Sequence, residues 1–267
     1  MTRGRGLRIA GWSYCALILL FLLFPVAIVV PASFSGSQML EFPPNTWSFH
    51  WYRQVLGDGR WMESAFLSLR IALFAAAVAT VSGLMVSVVH LRFGRVAPTL
   101  RAFFLLPLIA PHIVPATGLF SLLLHMHLLG SPTVLAFGHA CLALPLSIVV
   151  LVNAVETIEP LLWSAAASLG ARWWMIVREV LLPNLSISLV VAFLLAFIAS
   201  WDEVTFAVFI GPISTPTLPS RMFSYLQELT NPSVSAVATM LAALTVSGGL
   251  VSVLLPRLRR RPVRMTP

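Results

Sequence analysis

The sequence predicts an all-α integral membrane fold with six transmembrane helices and both termini in the cytoplasm. Three observations predict it: a composition poor in charge, six long apolar runs, and arginines gathered at the ends of those runs. Hydrophobic residues make up 58% of the 267 and charged residues only 10%, against about 25% charged in an average soluble domain. Too few polar groups are present to cover a soluble globule of this length. Lipid is the solvent that uninterrupted apolar runs need.

The first run, about 9–30, follows Arg3, Arg5 and Arg8. A signal peptide begins in the same way, but this apolar core is long enough to span and no clear small-residue cleavage site follows. It reads as a retained first helix. Residues 31–63 carry Pro43, Pro44, Trp47, Trp51, Tyr52 and Trp61, a loop whose aromatics suit the headgroup zone. A short amphipathic piece is expected near Phe49–Leu56. The second run is 65–89. The third, 102–124, holds Pro107, Pro111 and Pro115. Prolines four apart lie near one face of a helix and each promotes a bend. Two readings stand: a bent helix lining the protein interior, or the ordinary tolerance of membrane helices for proline. The fourth run is 133–152, with Pro145 inside it.

Residues 153–183 are too polar to span but look helical and amphipathic in pieces. The fifth run is 185–210, a Pro/Ser/Thr-rich loop covers 211–232, and the sixth run is 234–255. The expected organisation is a cytoplasmic N-terminus at 1–8, a six-helix domain at 9–256 and a basic cytoplasmic tail at 257–267.

Orientation follows from arginine, the only basic residue type besides histidine. With the N-terminus inside, the inner segments hold Arg3, Arg5, Arg8, Arg92, Arg95, Arg101, Arg172, Arg178, Arg257, Arg259, Arg260, Arg261 and Arg264. The outer side holds Arg53, Arg60 and Arg221, with Arg70 near the outer end of the second helix. That is a strong positive-inside bias. It also accounts for the net charge of +8 without nucleic acid as a partner.

Other chemistries find little support. Cys15 and Cys141 lie inside apolar runs and read as small packing residues. His112, His125, His127 and His139 do not form a metal-ligand pattern, and no metal site is expected. His125 and His127, two apart, point to different helix faces. No G-x-S-x-G elbow is present. No catalytic residue is expected, and with no Walker A segment the chain is not expected to bind ATP in that manner.

The informative segment lies in the 153–183 loop. It reads Ser164-Ala165-Ala166-Ala167-Ser168-Leu169-Gly170 and then Val180-Leu181-Leu182-Pro183. Small residues let a short helix approach a groove closely, Gly170 permits a sharp turn or a tight contact, and Pro183 can open the next helix. This segment resembles the EAA loop of ABC importer inner-membrane permeases. Ala165, Ala166, Gly170, Leu182 and Pro183 match the motif in identity and spacing, Val180 replaces Ile, and Ser164 stands where the family has Glu. Further along, Ser200-Trp201-Asp202-Glu203, Ile210-Gly211-Pro212, Thr217-Leu218-Pro219 and Asn231-Pro232-Ser233 are similar to the spermidine/putrescine-type (PotC-like) subfamily.

The resemblance implies a type I permease fold and a role as one membrane subunit of a binding-protein-dependent importer in the bacterial inner membrane. It implies a cytoplasmic ABC ATPase dimer that consumes ATP, a second permease subunit and an extracytoplasmic solute-binding protein. It makes a polyamine a candidate solute. In the family, the loop docks on the ATPase as a coupling helix; with Ser164 in place of Glu, docking here is expected to rely on shape and on Arg172 or Arg178. The rival reading is a subunit of an ion-gradient-driven secondary transporter, which would place acids on several helices. Here the clear pair is Asp202 and Glu203, about 27–30 Å up the fifth helix from Pro183. Intramembrane acids usually face a cavity or a partner. Two roles are open for them: a cation-attracting site at the outer mouth of the pathway, or a gate or ion pair with an arginine of this or the partner subunit. Pro107 and Pro111 join them as candidate pathway residues.

Overall fold

A computed structural model describes residues 3–39, 41–94, 98–227 and 232–259, with side chains described except at 3–7, 9, 98–102 and 251–259. The tail beyond Arg259, Arg95 and Asn231 lie outside the described residues. The described structure is helical, with one isolated β-bridge between Ser35 and Trp47. Among the described residues four helices are long and apolar enough to cross a membrane, and up to six if each of two bent pairs counts as one span. The chain divides into two compact units, 1–59 with 224–267, and 60–223.

In the first unit, α1 (Arg3–Ala32) and α13 (Ser233–Arg259) are the long helices, and α13 packs on α1 and on the short α2 (His50–Gly57). The expected amphipathic piece is α2, which buries Trp51 and Val55. Phe34 collects Phe49 and Tyr52 at centroid distances of 5.3 and 5.1 Å. The Tyr52 hydroxyl lies 2.6 Å from Ser33 Oγ. Most of α1 is exposed, so lipid or another chain is its solvent. Cys15 on α1 is exposed too, as is Cys141 in the second unit; within this chain neither is the packing residue the sequence suggested.

The second unit is built on α3 (Gly59–Phe93), α4 (Pro98–Ile109), α5 (Ile113–His125) and α6 (Pro132–Glu156). It continues through α7 (Pro160–Ser168), α8 (Trp173–Met175), a π-helical stretch (Ile176–Leu181) and α9 (Leu182–Asn184). It ends with α10 (Ser186–Trp201), α11 (Thr205–Ile210) and the start of α12 (Leu218–Gln227). Ala76 and Ala79 of α3, Ala143 of α6 and Ala196 of α10 form one buried cluster. Small residues let membrane helices approach closely where apolar surface supplies no drive of its own. Gly83 marks the tightest approach: a Cβ there would lie 2.9 Å from Ser147 Cβ and 3.0 Å from its carbonyl carbon. Gly83→Val is therefore expected to destabilise the chain by about 1–3 kcal/mol through overpacking, read as a lower unfolding temperature in detergent.

The structure changes three expectations. The third run is not one bent helix: α4 and α5 meet at 106° across Ala110-Pro111-His112. Proline cannot donate a backbone hydrogen bond, and it disfavours helical geometry in the residue before it. The fifth run is not continuous to 210: α10 ends at Trp201 and α11 begins at Thr205, while the 173–184 arm meets α10 at 74°. The 211–232 loop contains a helix, α12, held to α3 by two side chains. Leu218 N–H donates to Ser68 Oγ at 2.7 Å, and Arg221 Nε donates to Ser64 Oγ at 2.7 Å.

Candidate functional site

Two places gather the residues that the sequence singled out. The first is the 153–183 loop. Pro160 opens α7 at its first turn, where a missing N–H costs nothing. Ala165 and Ala167 are exposed, Ser164 and Ala166 half-buried. The helix closes on Gly170 with φ +85°. Ala171 N–H donates to Ala166 O at 3.1 Å and Gly170 N–H to Ala167 O at 3.0 Å. These are the two bonds of a Schellman cap with glycine at its left-handed position. A Cβ on Gly170 would meet nothing within 4 Å. Of the two readings of this glycine, the turn is the one realised within the chain, since only backbone conformation demands it.

Past the cap, Trp173–Asn184 returns toward the membrane helices. Its π-helical stretch ends where Leu182 N–H donates to Val177 O, one residue before Pro183 removes a donor from the ladder. Ile176, Leu181 and Leu185 are buried with Val155 and Ile158, and Leu84, Val88 and Leu91 of α3 pack against them. One side of the loop is thus welded to α3 and α6. The other side shows Leu161, Leu162, Leu169 and Trp174 to the outside, with Leu169 89% exposed. Ser164, at the family's Glu position, turns its hydroxyl back to Leu161 O at 3.3 Å. Arg172 and Arg178 are exposed. Val180 and Leu182 are half-buried and Pro183 is exposed.

The second place is the pair of helix breaks. Asp202 and Glu203 are neighbours in sequence but not in environment. Asp202 terminates α10, is exposed, and its carboxylate has no partner among the described residues. Glu203 is buried. Its Oε1 accepts from Phe206 N–H at 3.1 Å, in the first turn of α11. Its Oε2 lies 2.8 Å from His112 Nδ1, the Glu203 side chain being 6% and the His112 side chain 45% exposed. The partner that Glu203 finds within this chain is thus a histidine, not an arginine. Two interrupted helices meet there, joined by the contact between the His112 and Glu203 side chains.

Pro111 sits directly before His112 in the break and is exposed, while Pro107 lies within α4, half-buried. The three prolines do not form one buried interior stripe. Sequence reasoning weighed His112 and His139 only as metal ligands. Among the described residues no cluster of three metal-binding side chains exists. His139 is instead a buried α6 residue whose Nδ1 lies 2.9 Å from Ser200 Oγ on α10, two residues before Asp202. The available signal for His112 was its position after Pro111, at a break. No local signal marked buried Arg221, which the sequence placed in an outer loop.

Comparison with known proteins places this arrangement. A family described as binding-protein-dependent transport system inner membrane component matches residues 79–260. The putrescine transport system permease protein PotI of Escherichia coli is 30% identical over 266 residues, covering 95% of this chain and 94% of PotI. The spermidine/putrescine transport system permease protein PotC of Haemophilus influenzae is 26% identical over 247 residues, covering 92% of this chain and 95% of PotC. A chain in the crystal structure of a bacterial ABC transporter involved in the import of the acidic polysaccharide alginate shares the fold. Its TM-score is 0.65 at 16% identity, over 96% of this chain and 98% of that one. The all-α multi-pass fold, the loop motif and these likenesses agree: the chain belongs to the binding-protein-dependent transport system inner membrane components and is a permease subunit of that class.

Proposed function

We propose that this permease subunit forms half of a pathway for a polyamine, with both termini in the cytoplasm of a bacterial cell, and that the 153–183 loop couples it to a separate ATPase. The observation that carries the coupling role is the shape of the loop: a short helix closed by a glycine cap, one side anchored on α3 and α6, the other presenting Leu161, Leu162, Leu169 and Trp174. A load applied to that outer face is transmitted through the anchored arm to α10. Ser164, Ala165, Ala166 and Gly170 form the docking element, and Val180, Leu182 and Pro183 the arm. A cytoplasmic ABC ATPase dimer, a second permease subunit and an extracytoplasmic binding protein complete the transporter. This chain performs no covalent chemistry; ATP is consumed by the ATPase.

The polyamine reading is supported by the relatives, which are named for putrescine and spermidine transport, and by Asp202, an exposed carboxylate beside the helix breaks. An extended polycation is attracted by such a charge. Glu203, Pro111 and His112 form the gate next to it, and Pro107 lies on the helix that leads there. Reconstitution in proteoliposomes with the partner subunits tests the whole reading. Uptake is expected to require ATP and loaded binding protein; uptake driven by a proton or sodium gradient alone would replace this reading by that of a secondary transporter. Asp202→Asn is expected to lower polyamine uptake several-fold, the loss of one charge interaction, with the unfolding temperature unchanged. Undiminished uptake would remove Asp202 from the pathway.

A further inference from the structure

Two cavities of the second unit share one charged side chain. A cavity of about 600 Å³ has Glu63 and Arg70 of α3 in its wall. A second, of about 350 Å³, also includes Arg70 and Leu67 and, apart from Thr133, is otherwise apolar, with Phe74 of α3 and Ala136 of α6. The two helices run in the same direction here: Phe74 meets Phe137 edge-on at 5.1 Å, and further along Gly83 lies against Ser147. Position along α3 therefore orders the chemistry by depth. Glu63 comes first, Arg70 two turns later, about 10 Å on, and Phe74 one turn beyond that, all on one face.

Neither Glu63 nor Arg70 has an ion-pair partner among the described residues, although both line one cavity. An arginine within an apolar helix is costly unless it meets an anion or the interface. α3 has 35 residues, about 52 Å of helix against a hydrocarbon core of about 30 Å, so its first turns stand in the headgroup zone. An acceptor for a cation, then a donor to an anion, then an apolar groove is the complement of an amphiphile with an ammonium outermost, a phosphate beneath it and acyl chains deeper still.

We infer that this is a binding site for a glycerophospholipid with a primary-ammonium, zwitterionic headgroup. The ammonium donates to the Glu63 carboxylate, the phosphate accepts from the Arg70 guanidinium, and one acyl chain lies along Leu67, Phe74 and Ala136. In the orientation proposed above this is the outer leaflet. A lipid with a net negative headgroup meets repulsion from Glu63. A choline lipid has no N–H to give it. The site is separate from the helix breaks and from the coupling loop, and it does not rest on the identity of the transported solute.

The test uses the full-length chain in its assembled transporter, stripped of lipid in detergent and offered equal amounts of phosphatidylethanolamine, phosphatidylcholine and phosphatidylglycerol. Native mass spectrometry then counts what is retained. Phosphatidylethanolamine is expected to be preferred. Glu63→Gln is expected to reduce its preference over phosphatidylglycerol by about tenfold, the loss of one charge-assisted hydrogen bond. Arg70→Gln is expected to abolish selective retention, and Leu67→Trp, which fills the groove while leaving both charged groups in the chain, to do the same with an unchanged circular dichroism spectrum. Equal retention of the three lipids by the native chain, an unaltered preference in Glu63→Gln, or crosslinking that places the second permease subunit in the groove would each overturn the inference.

Discussion

Gly170→Val is expected to lower ATP-driven uptake by about tenfold while leaving the chain inserted and folded, and Gly170→Asn is expected to retain most of it. The residue sits at φ +85° in the cap of α7, with open space where a Cβ would be. A β-branched residue cannot adopt that conformation without a cost of about 1–2 kcal/mol, whereas asparagine visits it routinely. The cost falls on the two cap bonds that orient α7, not on the anchored arm. The population of loops able to dock falls by the corresponding factor. Uptake and solute-stimulated ATP hydrolysis, measured side by side, are the readout: both should fall together in Gly170→Val, with basal hydrolysis by the partner ATPase preserved. Intact coupling in Gly170→Val would mean that α7 does not dock through this face.

The second large effect is expected at Glu203, and the two obvious substitutions should differ. Glu203→Ala removes the acceptor of Phe206 N–H and the partner of His112 together. A lost helix cap and a lost hydrogen bond to a buried carboxylate are each worth about 1–2 kcal/mol, so a drop of roughly 2–4 kcal/mol in stability and a near-complete loss of uptake should follow. Glu203→Gln keeps an oxygen for Phe206 and a polar group for His112 but removes the charge. Stability should change by about a third as much. Uptake through Glu203→Gln then separates the two roles open for this residue. Near-normal uptake identifies Glu203 as the latch that joins the two helix breaks, and strongly reduced uptake with an intact fold identifies its charge as part of the pathway. His112→Ala should reproduce the loss of the latch but not the loss of the cap.

Different features of this protein were legible at different distances along the chain. The membrane class was open to sequence because it depends on composition and run length, and the loop because Ala165, Ala166, Gly170 and Pro183 lie within one short stretch whose glycine has a purely local task. The amphipathic α2 was legible for the same reason: its buried residues Trp51 and Val55 repeat with the period of its own helix. The helix breaks were only half legible. Pro111 announced a disturbance, but whether a proline bends a membrane helix or breaks it through 106° depends on what packs against it. Here that includes Glu203, which belongs to another element. The α12 helix was missed because its anchors, Ser64 and Ser68, lie on α3, far back in the chain.

The sequence by itself determined that the chain lives in lipid, that its arginines gather at the ends of its apolar runs, and that one segment resembles the importer motif with serine at the position of the family's glutamate. These are properties of composition and of neighbours within about a dozen residues, where local chemistry decides. Only the tertiary structure separated Asp202 from Glu203. It left the first exposed, buried the second against His112, and set Glu63 and Arg70 in one cavity without pairing them. Two adjacent carboxylates have the same chemistry in a sequence. Their roles diverge because each faces a different element, and burial and hydrogen-bond partners are supplied by those elements.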